Sequence, residues 1–160
     1  MNIDELREEI ATDEGKVMSV YLDHLNLPTL GIGHLITEWD EEHGKPVGTE
    51  VSEERVNELF AKDIEVTISE CKELFENFDD LPDEVQKICA NMMFNMGRPR
   101  LSGFKKFRAA IANKDWNECA VQMEDSRWHK QVTNRANRLI SRMRSIESTY
   151  TEDFCIFIYL

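Results

Sequence analysis

The sequence lacks any apolar run that approaches the ~20 residues of a membrane-spanning helix. Its amino terminus, MNIDELREEI, is acidic and contains neither a basic region nor an apolar segment. We therefore expect no signal peptide and no membrane insertion. Hydrophobic residues still make up 41% of the 160 residues, which is enough to form the core of one domain or of two small lobes.

Cysteine is scarce, and the four residues lie at least 18 positions apart, at Cys71, Cys89, Cys119 and Cys155. This spacing excludes a compact zinc site or a Cys-x-x-Cys redox site, and we expect no metal and no cofactor. The first three cysteines fall within helical apolar patterns. We interpret them as reduced core residues of a protein made in the cytosol, rather than as disulfide partners.

Basic residues are few, with 19 Lys and Arg against 31 Asp and Glu, and the net charge of −12 argues against general nucleic-acid binding. The charge is unevenly distributed, because residues 98–144 hold 12 basic and 4 acidic residues, whereas the remainder holds 7 basic and 27 acidic residues. This asymmetry is compatible with a basic face directed at an anionic polymer. Internal pairing between the two parts is an equally open interpretation.

The amino-terminal third of the chain predicts a helix followed by a small antiparallel sheet. Apolar residues recur at helical spacing over residues 3–13, and Gly15 suits the turn that ends a helix. Residues 16–22 and 29–36 are typical of two strands, with glycines in the second where the backbone bends or approaches another group. Residues 37–50 are polar and predict a loop or a third edge strand.

The remainder of the chain predicts helices only. Ser52 suits the cap of a helix of more than twenty residues, whose apolar side chains fall on one stripe. Pro82 suits the start of a nearly all-apolar helix that Gly97 closes. Asp115 and Thr133 suit the caps of two further helices.

These elements predict an α+β fold that is mainly α, within a single domain of two lobes. The amino lobe with its β-hairpin sheet would span about residues 12–58, and a long connecting helix about residues 59–80. An all-helical carboxyl-terminal lobe would comprise about residues 81–160 together with residues 1–11.

Two acids and a hydroxyl flank the predicted hairpin. Glu14 falls at the end of the first helix, where the helix dipole disfavours an anion, so the position suits a carboxyl group that holds a proton. Asp23 ends one strand and Thr29 opens the next, so a chain reversal would return both towards Glu14. Singly, each residue is typical of a surface turn or strand. Together they match the paired carboxyl groups of glycoside hydrolysis.

The motif DEG…YLD…TLGIGHLIT resembles that of the phage-type lysozyme family, the T-even phage lysozyme group. The spacing Glu–x8–Asp–x5–Thr, followed by Gly-Ile-Gly-His, is the catalytic signature of that family. The carboxyl-terminal half continues the resemblance at matching separations, which extends over about residues 2–146. Its blocks are NMMFNMG (91–97), GF (103–104), SRW (126–128) and NRA (134–136).

The resemblance implies a phage lysozyme-like fold and a muramidase. Such an enzyme cleaves the β-1,4 bond between N-acetylmuramic acid and N-acetylglucosamine in bacterial peptidoglycan, with inversion at the anomeric carbon. Glu14 would be the general acid, and Asp23 and Thr29 would position the attacking water. Inversion requires the two carboxyl groups to lie ~6.5–9.5 Å apart, which leaves room for that water.

The resemblance also implies supporting roles. Arg135, in the NRA block, would lie against Glu14. His34 would pair with Asp63 on the long helix and link the sheet to that helix. A lone histidine at a strand end could instead be a catalytic base or a metal ligand, and we favour the structural role.

The saccharide cleft would be lined by Leu35, Phe94 and Asn95, according to the resemblance. Periodicity alone would assign Leu35 and Phe94 to the core, and both interpretations stay open. Trp116 and Trp128 are interpreted as core residues.

Among the departures of the sequence from the family pattern, two concern the hairpin turn and the carboxyl-terminal end. The turn at residues 23–28, DHLNLP, lacks the glycine that is usual in the family hairpin, and Pro28 directly precedes Thr29, whose backbone it could displace. The apolar residues 153–160 extend beyond the family match, and we predict that they pack onto an apolar surface of the protein.

The resemblance implies a monomeric endolysin, held in the host cytoplasm until a separate pore-forming protein releases it to the cell wall in the periplasm. One alternative is a catalytically silent wall-binding or virion structural module, against which the retention of Glu14, Asp23 and Thr29 argues. Another is a helical DNA-binding regulator that uses the basic segment, which the acidic remainder of the chain contradicts.

Overall fold

The computed structural model describes the backbone of residues 1–159 and the side chains of residues 1–146. The mainly helical α+β class is confirmed, with helices throughout the carboxyl-terminal part and one small sheet. In chain order the elements are α1 (Ile3–Glu14), β1 (Val17–Leu22), β2 (Pro28–Gly31), β3 (His34–Leu35), α2 (Glu53–Leu74), a 3-10 turn (Phe78–Asp80), α3 (Asp83–Ser102), α4 (Lys105–Ala112), α5 (Trp116–Glu124), α6 (Arg127–Gln131) and α7 (Thr133–Tyr159).

The chain divides into two compact units. We call Ile3–Thr67 the sheet unit, and Met1–Asn2 together with Ile68–Leu160 the helical unit. This division groups α1 with the sheet, whereas the sequence interpretation joined residues 1–11 to the helical lobe. The expected lobe boundaries stay a prediction.

The sheet has three antiparallel strands in the order β1-β2-β3. The prediction of one strand over residues 29–36 was wrong in this respect, because the segment is two short strands joined by a tight reversal. Gly31 and Gly33 adopt φ values of 61° and 63°, in the left-handed region that glycine enters without steric cost. These two glycines therefore turn the chain back so that β3 pairs with β2.

The turn between β1 and β2 contains no glycine, the residue that the resemblance led us to expect there. Asn26 takes its place with φ of 61°, which asparagine tolerates better than other residues with a side chain, and its N–H donates to the carbonyl of Asp23 (2.9 Å). Pro28 begins β2 opposite Leu22, and its carbonyl accepts a hydrogen bond from the N–H of Ile36 (2.9 Å). Pro28 is thus accommodated within the sheet.

The polar segment after β3 is built mainly of turns, and it ends in one isolated bridge between Glu50 and Ser19 of β1. Backbone bonds flank this bridge, from Val20 N–H to the carbonyl of Thr49 and from Val51 N–H to the carbonyl of Met18 (both 2.9 Å). The segment is therefore attached to the outer edge of β1 without forming a full strand.

Helix boundaries agree closely with the predicted caps. Ser52 accepts the N–H of Arg55 at the start of α2 (3.1 Å), and Asp115 accepts the N–H of Glu118 at the start of α5 (3.1 Å). Gly97, with φ of 79° and ψ of 159°, interrupts α3 where the sequence predicted the apolar helix to close. Thr133 begins α7, and its hydroxyl donates to the carbonyl of His129 (2.9 Å).

The helical unit buries three reduced cysteines, as predicted for Cys71, Cys89 and Cys119. Burial raises the pKa of the Cys71 thiol to about 12 and that of Cys89 well above its ordinary value, so neither is a nucleophile at neutral pH. The predicted packing of residues 153–160 lies outside the described side chains. No helix within the described part of the chain has the length and apolar character needed to cross a bilayer.

Candidate active site

Glu14 is the last residue of α1, where Gly15 ends the helix with φ of 73° and donates its N–H to the carbonyl of Ala11 (3.0 Å). The half-buried carboxyl group of Glu14 lies directly against the backbone of Gly33. A Cβ atom on Gly33 would lie 2.7 Å from Oε2 of Glu14. This contact is too short, so any side chain at position 33 would displace the carboxyl group. The glycine-rich reversal therefore leaves room for the carboxyl group.

Asp23 and Thr29 are joined through the peptide groups of Leu27. The Leu27 N–H donates to Oδ1 of Asp23 (2.9 Å), and the Leu25 N–H donates to the same atom (2.8 Å). The Leu27 carbonyl accepts from the Asp23 N–H (3.0 Å) and from the Thr29 hydroxyl (2.9 Å). One residue of the hairpin turn thus holds both candidate side chains in place.

This bonding decides which atoms of the pair can interact with a water. The two backbone donors bind Oδ1 of Asp23, so these bonds leave Oδ2 available to accept a hydrogen bond. Thr29 has donated its hydroxyl proton to Leu27, so its Oγ1 offers lone pairs. Oδ2 of Asp23 and Oγ1 of Thr29 are thus acceptor atoms that the bonds within the turn leave available, which suits the binding of a water molecule that donates its protons.

The sheet carries a row of side chains on one face. Tyr21 lies opposite Thr29, and Thr29 lies opposite Leu35. Directly opposed residues of antiparallel strands project from the same face. Within this row, Thr29 is 3% exposed, whereas Leu35 is 48% exposed. A buried hydroxyl group therefore lies next to an accessible apolar side chain.

Tyr21 is a member of this row that the sequence interpretation missed. Burial raises the pKa of its phenol, and the negative charges of Glu14 and then Asp23 raise it further. The phenol therefore lies in the electrostatic field of both acids and stays neutral at physiological pH. Its signal in the sequence was its position two residues before Asp23, because side chains two residues apart in an extended chain project to the same side.

His34 lies on the opposite face, between two carboxylates. In its imidazolium form it donates from Nδ1 to Asp63 on α2 (2.7 Å) and from Nε2 to Asp40 (2.8 Å). Burial lowers the pKa of His34, but the hydrogen bonds to Asp63 and Asp40 outweigh it and raise the pKa overall. The sequence interpretation named Asp63 as the partner and missed Asp40, since nothing in the pattern singles it out among its acidic neighbours.

Asp40 connects His34 to a wider polar network. Burial raises the pKa of Asp40, but hydrogen bonds from the Thr37 N–H and from His34 outweigh it and lower the pKa. Arg55 of α2 lies 3.9 Å from Oδ1 of Asp40 and donates to the buried Glu42 (3.0 Å). The network fastens the turns after β3 to the first half of α2.

Three further candidates belong to the helical unit. Asn95 accepts the indole N–H of Trp128 on its Oδ1 atom (2.7 Å), and Phe94 is half-buried. Arg135 is buried and donates from Nε to Oδ1 of Asn91 (2.8 Å). Trp128 and Trp116 are core residues, as predicted.

The basic segment is partly paired within the helical unit. Arg98, Arg142 and Arg144 form ion pairs with Glu73, Glu84 and Glu124, respectively. Elsewhere in this unit a cavity of about 380 Å³ is lined by basic and aromatic side chains together with one acid. Its charged and aromatic lining consists of Phe104, Lys105, Lys106, Phe107, Asp125 and Arg127.

The family model for phage lysozyme matches residues 11–146, most of the chain. The chain belongs to the phage lysozyme family. All nine side chains that the sequence interpretation singled out lie inside the matched range.

Three curated proteins illustrate the breadth of the similarity. Probable T4-type lysozyme 2 of Dictyostelium discoideum is 32% identical over 87% of this chain and 93% of that protein. Probable T4-type lysozyme 1 of the same organism is 29% identical with the same coverage. The pre-baseplate central spike protein Gp5 of Enterobacteria phage T4 is 26% identical over 84% of this chain but only 26% of the spike protein.

Family membership makes the chain a glycoside hydrolase of the lysozyme type. The sheet unit assembles Glu14, Asp23, Thr29 and Leu35, with Tyr21 beside them. Phe94, Asn95 and Arg135 belong to the helical unit, and their roles at the site stay predictions. The described residues contain no group of three or more His, Cys, Asp or Glu side chains placed to hold a metal ion.

Proposed function

We propose that the protein is a muramidase that hydrolyses the β-1,4 bond between N-acetylmuramic acid and N-acetylglucosamine in bacterial peptidoglycan, with inversion at the anomeric carbon. The observation that carries the proposal is the hydrogen-bonded unit of Asp23, Leu27 and Thr29. It joins the two candidate side chains through one residue and leaves an acceptor atom available on each, as a mechanism with a bound nucleophilic water requires.

In this mechanism Glu14 is the general acid. It donates its proton to the glycosidic oxygen as the bond from the anomeric carbon to that oxygen breaks. A water held by Oδ2 of Asp23 and Oγ1 of Thr29 attacks the opposite face of the anomeric carbon, and its proton passes to Asp23. Exchange of protons with solvent restores both carboxyl groups for the next cycle.

The remaining candidates have positioning roles in the proposal. Leu35, Phe94 and Asn95 contact the saccharide, and Arg135 supports Glu14. Tyr21 offers a neutral hydroxyl beside both acids. Support for Leu35 comes from its exposure on the face that carries Thr29.

The test compares wild type with Glu14→Gln and with Glu8→Gln, a matched control at an exposed position of the same helix. Clearing of purified peptidoglycan suspensions should fall at least about 100-fold in Glu14→Gln and stay unchanged in Glu8→Gln. Nuclear magnetic resonance of the first product formed should show the α-anomer. Clearing by Glu14→Gln at the wild-type rate would remove Glu14 as the acid, and a β-anomeric first product would exclude inversion.

The same experiment addresses a silent wall-binding module. That alternative requires that wild type and Glu14→Gln bind wall fragments equally and that neither clears them. The similarity to a relative that is named a pre-baseplate central spike protein keeps this comparison relevant.

We further propose that the enzyme is a monomeric phage endolysin, retained in the host cytoplasm until a separate pore-forming protein admits it to the wall, where it lyses the host. Support comes from the catalytic motif, which matches the phage lysozyme family. Expression in a bacterium should cause lysis only when a pore-forming protein is co-expressed, and light scattering should give the mass of one chain. Lysis without the pore-forming protein would contradict the release mechanism.

A further inference from the structure

Trp39 is the most exposed large apolar residue among the described side chains, with 88% of its surface accessible. The other two tryptophans, Trp116 and Trp128, are 3% and 1% exposed. A large indole is ordinarily buried to a great extent, so full exposure of one on a surface turn is an informative feature.

The turn that carries Trp39 is tightly bonded. The Thr37 N–H donates to Oδ2 of Asp40 (2.8 Å), and the Asp40 N–H donates to the Thr37 carbonyl (3.1 Å). The Trp39 N–H donates to the Thr37 hydroxyl (3.3 Å). The backbone on both sides of the indole is therefore held in one conformation.

Asp40 anchors this turn to the sheet and to α2. Its Oδ2 atom accepts from Nε2 of His34 (2.8 Å), and Arg55 lies 3.9 Å from its Oδ1 atom. His34 immediately precedes Leu35, which lies on the face of the sheet that carries Thr29. Four residues of chain span at most about 14 Å, so Trp39 lies within that distance of Leu35.

The neighbours of Trp39 indicate what could cover it. Glu38 and Asp40 directly flank Trp39 in the chain, and Glu38 and the following Glu41 are both exposed. The desolvated core of a protein interface is depleted of charged residues, so this acidic turn suits such a core poorly. A neutral sugar ring suits it well, because its C–H face can stack on an indole while its hydroxyl and amide groups donate to carboxylates.

We infer that Trp39 is a sugar-stacking subsite of the sheet unit, which binds an N-acetylated sugar ring of the glycan strand away from the bond that is cleaved. This inference rests on the proposed function, since it takes peptidoglycan as the substrate. The subsite contributes affinity for long strands and leaves the chemical step unchanged. Its occupant is the glycan, not the stem peptide and not a second copy of the chain.

Intrinsic fluorescence tests the inference directly, because Trp39 is the one tryptophan accessible to a quencher in water. The measurement uses the Glu14→Gln variant, so that the substrate is not turned over. Peptide-free glycan strands should shift its fluorescence emission to shorter wavelength and should protect Trp39 from quenching by acrylamide. Added to that background, Trp39→Ala should weaken strand binding about three- to tenfold, whereas Trp39→Phe should retain most of the affinity. Val47→Ala, an exposed apolar position nearby in the chain, is the matched control and should bind as its parent does.

Kinetics on otherwise wild-type protein separate this inference from the proposed function. Trp39→Ala should raise KM for glycan strands by a similar factor and leave kcat unchanged. If wild type clears peptidoglycan while Trp39→Ala has an unaltered KM and strand affinity, the sugar-stacking subsite is refuted, whereas the proposed muramidase activity is supported. Protection of Trp39 by free stem peptides alone, or by self-association in sedimentation, would also overturn it. If wild type does not clear peptidoglycan, the muramidase fails, and the binding of strands at Trp39 is still measured by fluorescence.

Discussion

The sheet unit and the helical unit differ in how far their described large apolar side chains are exposed to solvent. Among the described side chains, eleven large hydrophobic residues are exposed, and all except Val121 belong to the sheet unit. Most of the buried apolar residues, in contrast, belong to the helical unit, whose core includes complete burial of Ile88, Met92 and Met123. Among the described side chains, the unit that contains the candidate acids is therefore the one with most of the accessible large apolar residues.

This difference indicates that the two units contribute differently to stability and to substrate binding. The helical unit is stabilised by close packing, which burial of apolar surface favours at about 25 cal/mol per Å². The sheet unit has a smaller core and adds a polar network around His34 and Arg55, while its exposed apolar side chains stay available for substrate. Each of the following predictions tests one side of this comparison.

The largest expected effect is on the stability of the helical unit. Ile88→Ala removes a completely buried side chain from α3 and should lower the free energy of unfolding by about 2–5 kcal/mol. Leu25→Ala, at an exposed position of the sheet unit, should change it by less than about 0.5 kcal/mol. Urea unfolding followed by circular dichroism measures both, and equal losses would contradict the contrast between the units.

A second prediction concerns activity in the sheet unit. Gly33→Ala places a methyl group 2.7 Å from Oε2 of Glu14, which is too close for both groups to keep their positions. The acid must therefore move, and clearing of peptidoglycan should fall about 100-fold. Gly44→Ala is the matched control, because Gly44 also has a positive φ of 79° but no atom within 4 Å of the added Cβ. Both variants share the cost of the left-handed conformation. Similar activities for the two variants would show that Gly33 does not position Glu14.

A third prediction concerns the polar network. His34→Asn removes charged hydrogen bonds to Asp40 and Asp63 and should cost about 2 kcal/mol of stability at pH 6, whereas His43→Asn, at an exposed position, should cost little. Thermal unfolding at matched pH measures the difference. A loss in His43→Asn as large as that in His34→Asn would refute the special role of the network.

The pH dependence of this contribution follows from the two shifted groups. The pKa of His34 is raised, so its contribution is complete below the unfolded value of about 6.5 and is lost as the pH rises through the raised pKa. The pKa of Asp40 is lowered, so its contribution is complete above about 3.9 and is lost as the pH falls through the lowered pKa. The stability difference between wild type and His34→Asn should therefore be greatest between about pH 4 and 6.5. A difference that grows above that range would have the wrong sign.

The smallest expected effect is a change in the pKa of the Tyr21 phenol, which a titration measures. Glu14→Gln and Asp23→Asn should each lower the pKa of the Tyr21 phenol, because each removes a negative charge that raises it. Ultraviolet absorbance isolates Tyr21 when the titration of Tyr21→Phe is subtracted in each background. Glu8→Gln should leave the phenol unchanged. If the pKa of the phenol is unaltered in both Glu14→Gln and Asp23→Asn, Tyr21 is not a member of the site.

Much of this organisation could be predicted from sequence because it depends on local chemistry. The caps at Ser52 and Asp115 and the break at Gly97 follow from hydrogen bonding and backbone sterics within a few residues. Glu14, Asp23 and Thr29 were singled out by their order along a helix and a hairpin and by a family motif that keeps their spacing.

Other features depend on contacts between distant residues and were missed. Residues 29–36 were assigned to one strand, because apolar and β-branched composition does not show where two glycines reverse the chain. Asp40 was overlooked as the second partner of His34, and Arg55 as a member of the same network. Many acids near these positions are equivalent by composition, and only their placement in space distinguishes them.

By itself, the sequence determined the fold class, the positions of most helices and the acids that match the lysozyme motif, because helix periodicity, capping and motif spacing are local properties of the chain. The tertiary structure decided how Leu27 joins Asp23 to Thr29, how Gly33 makes room for Glu14 and which carboxylates surround His34. Those arrangements arise from hydrogen-bond geometry and steric fit between segments that only the folded chain brings together.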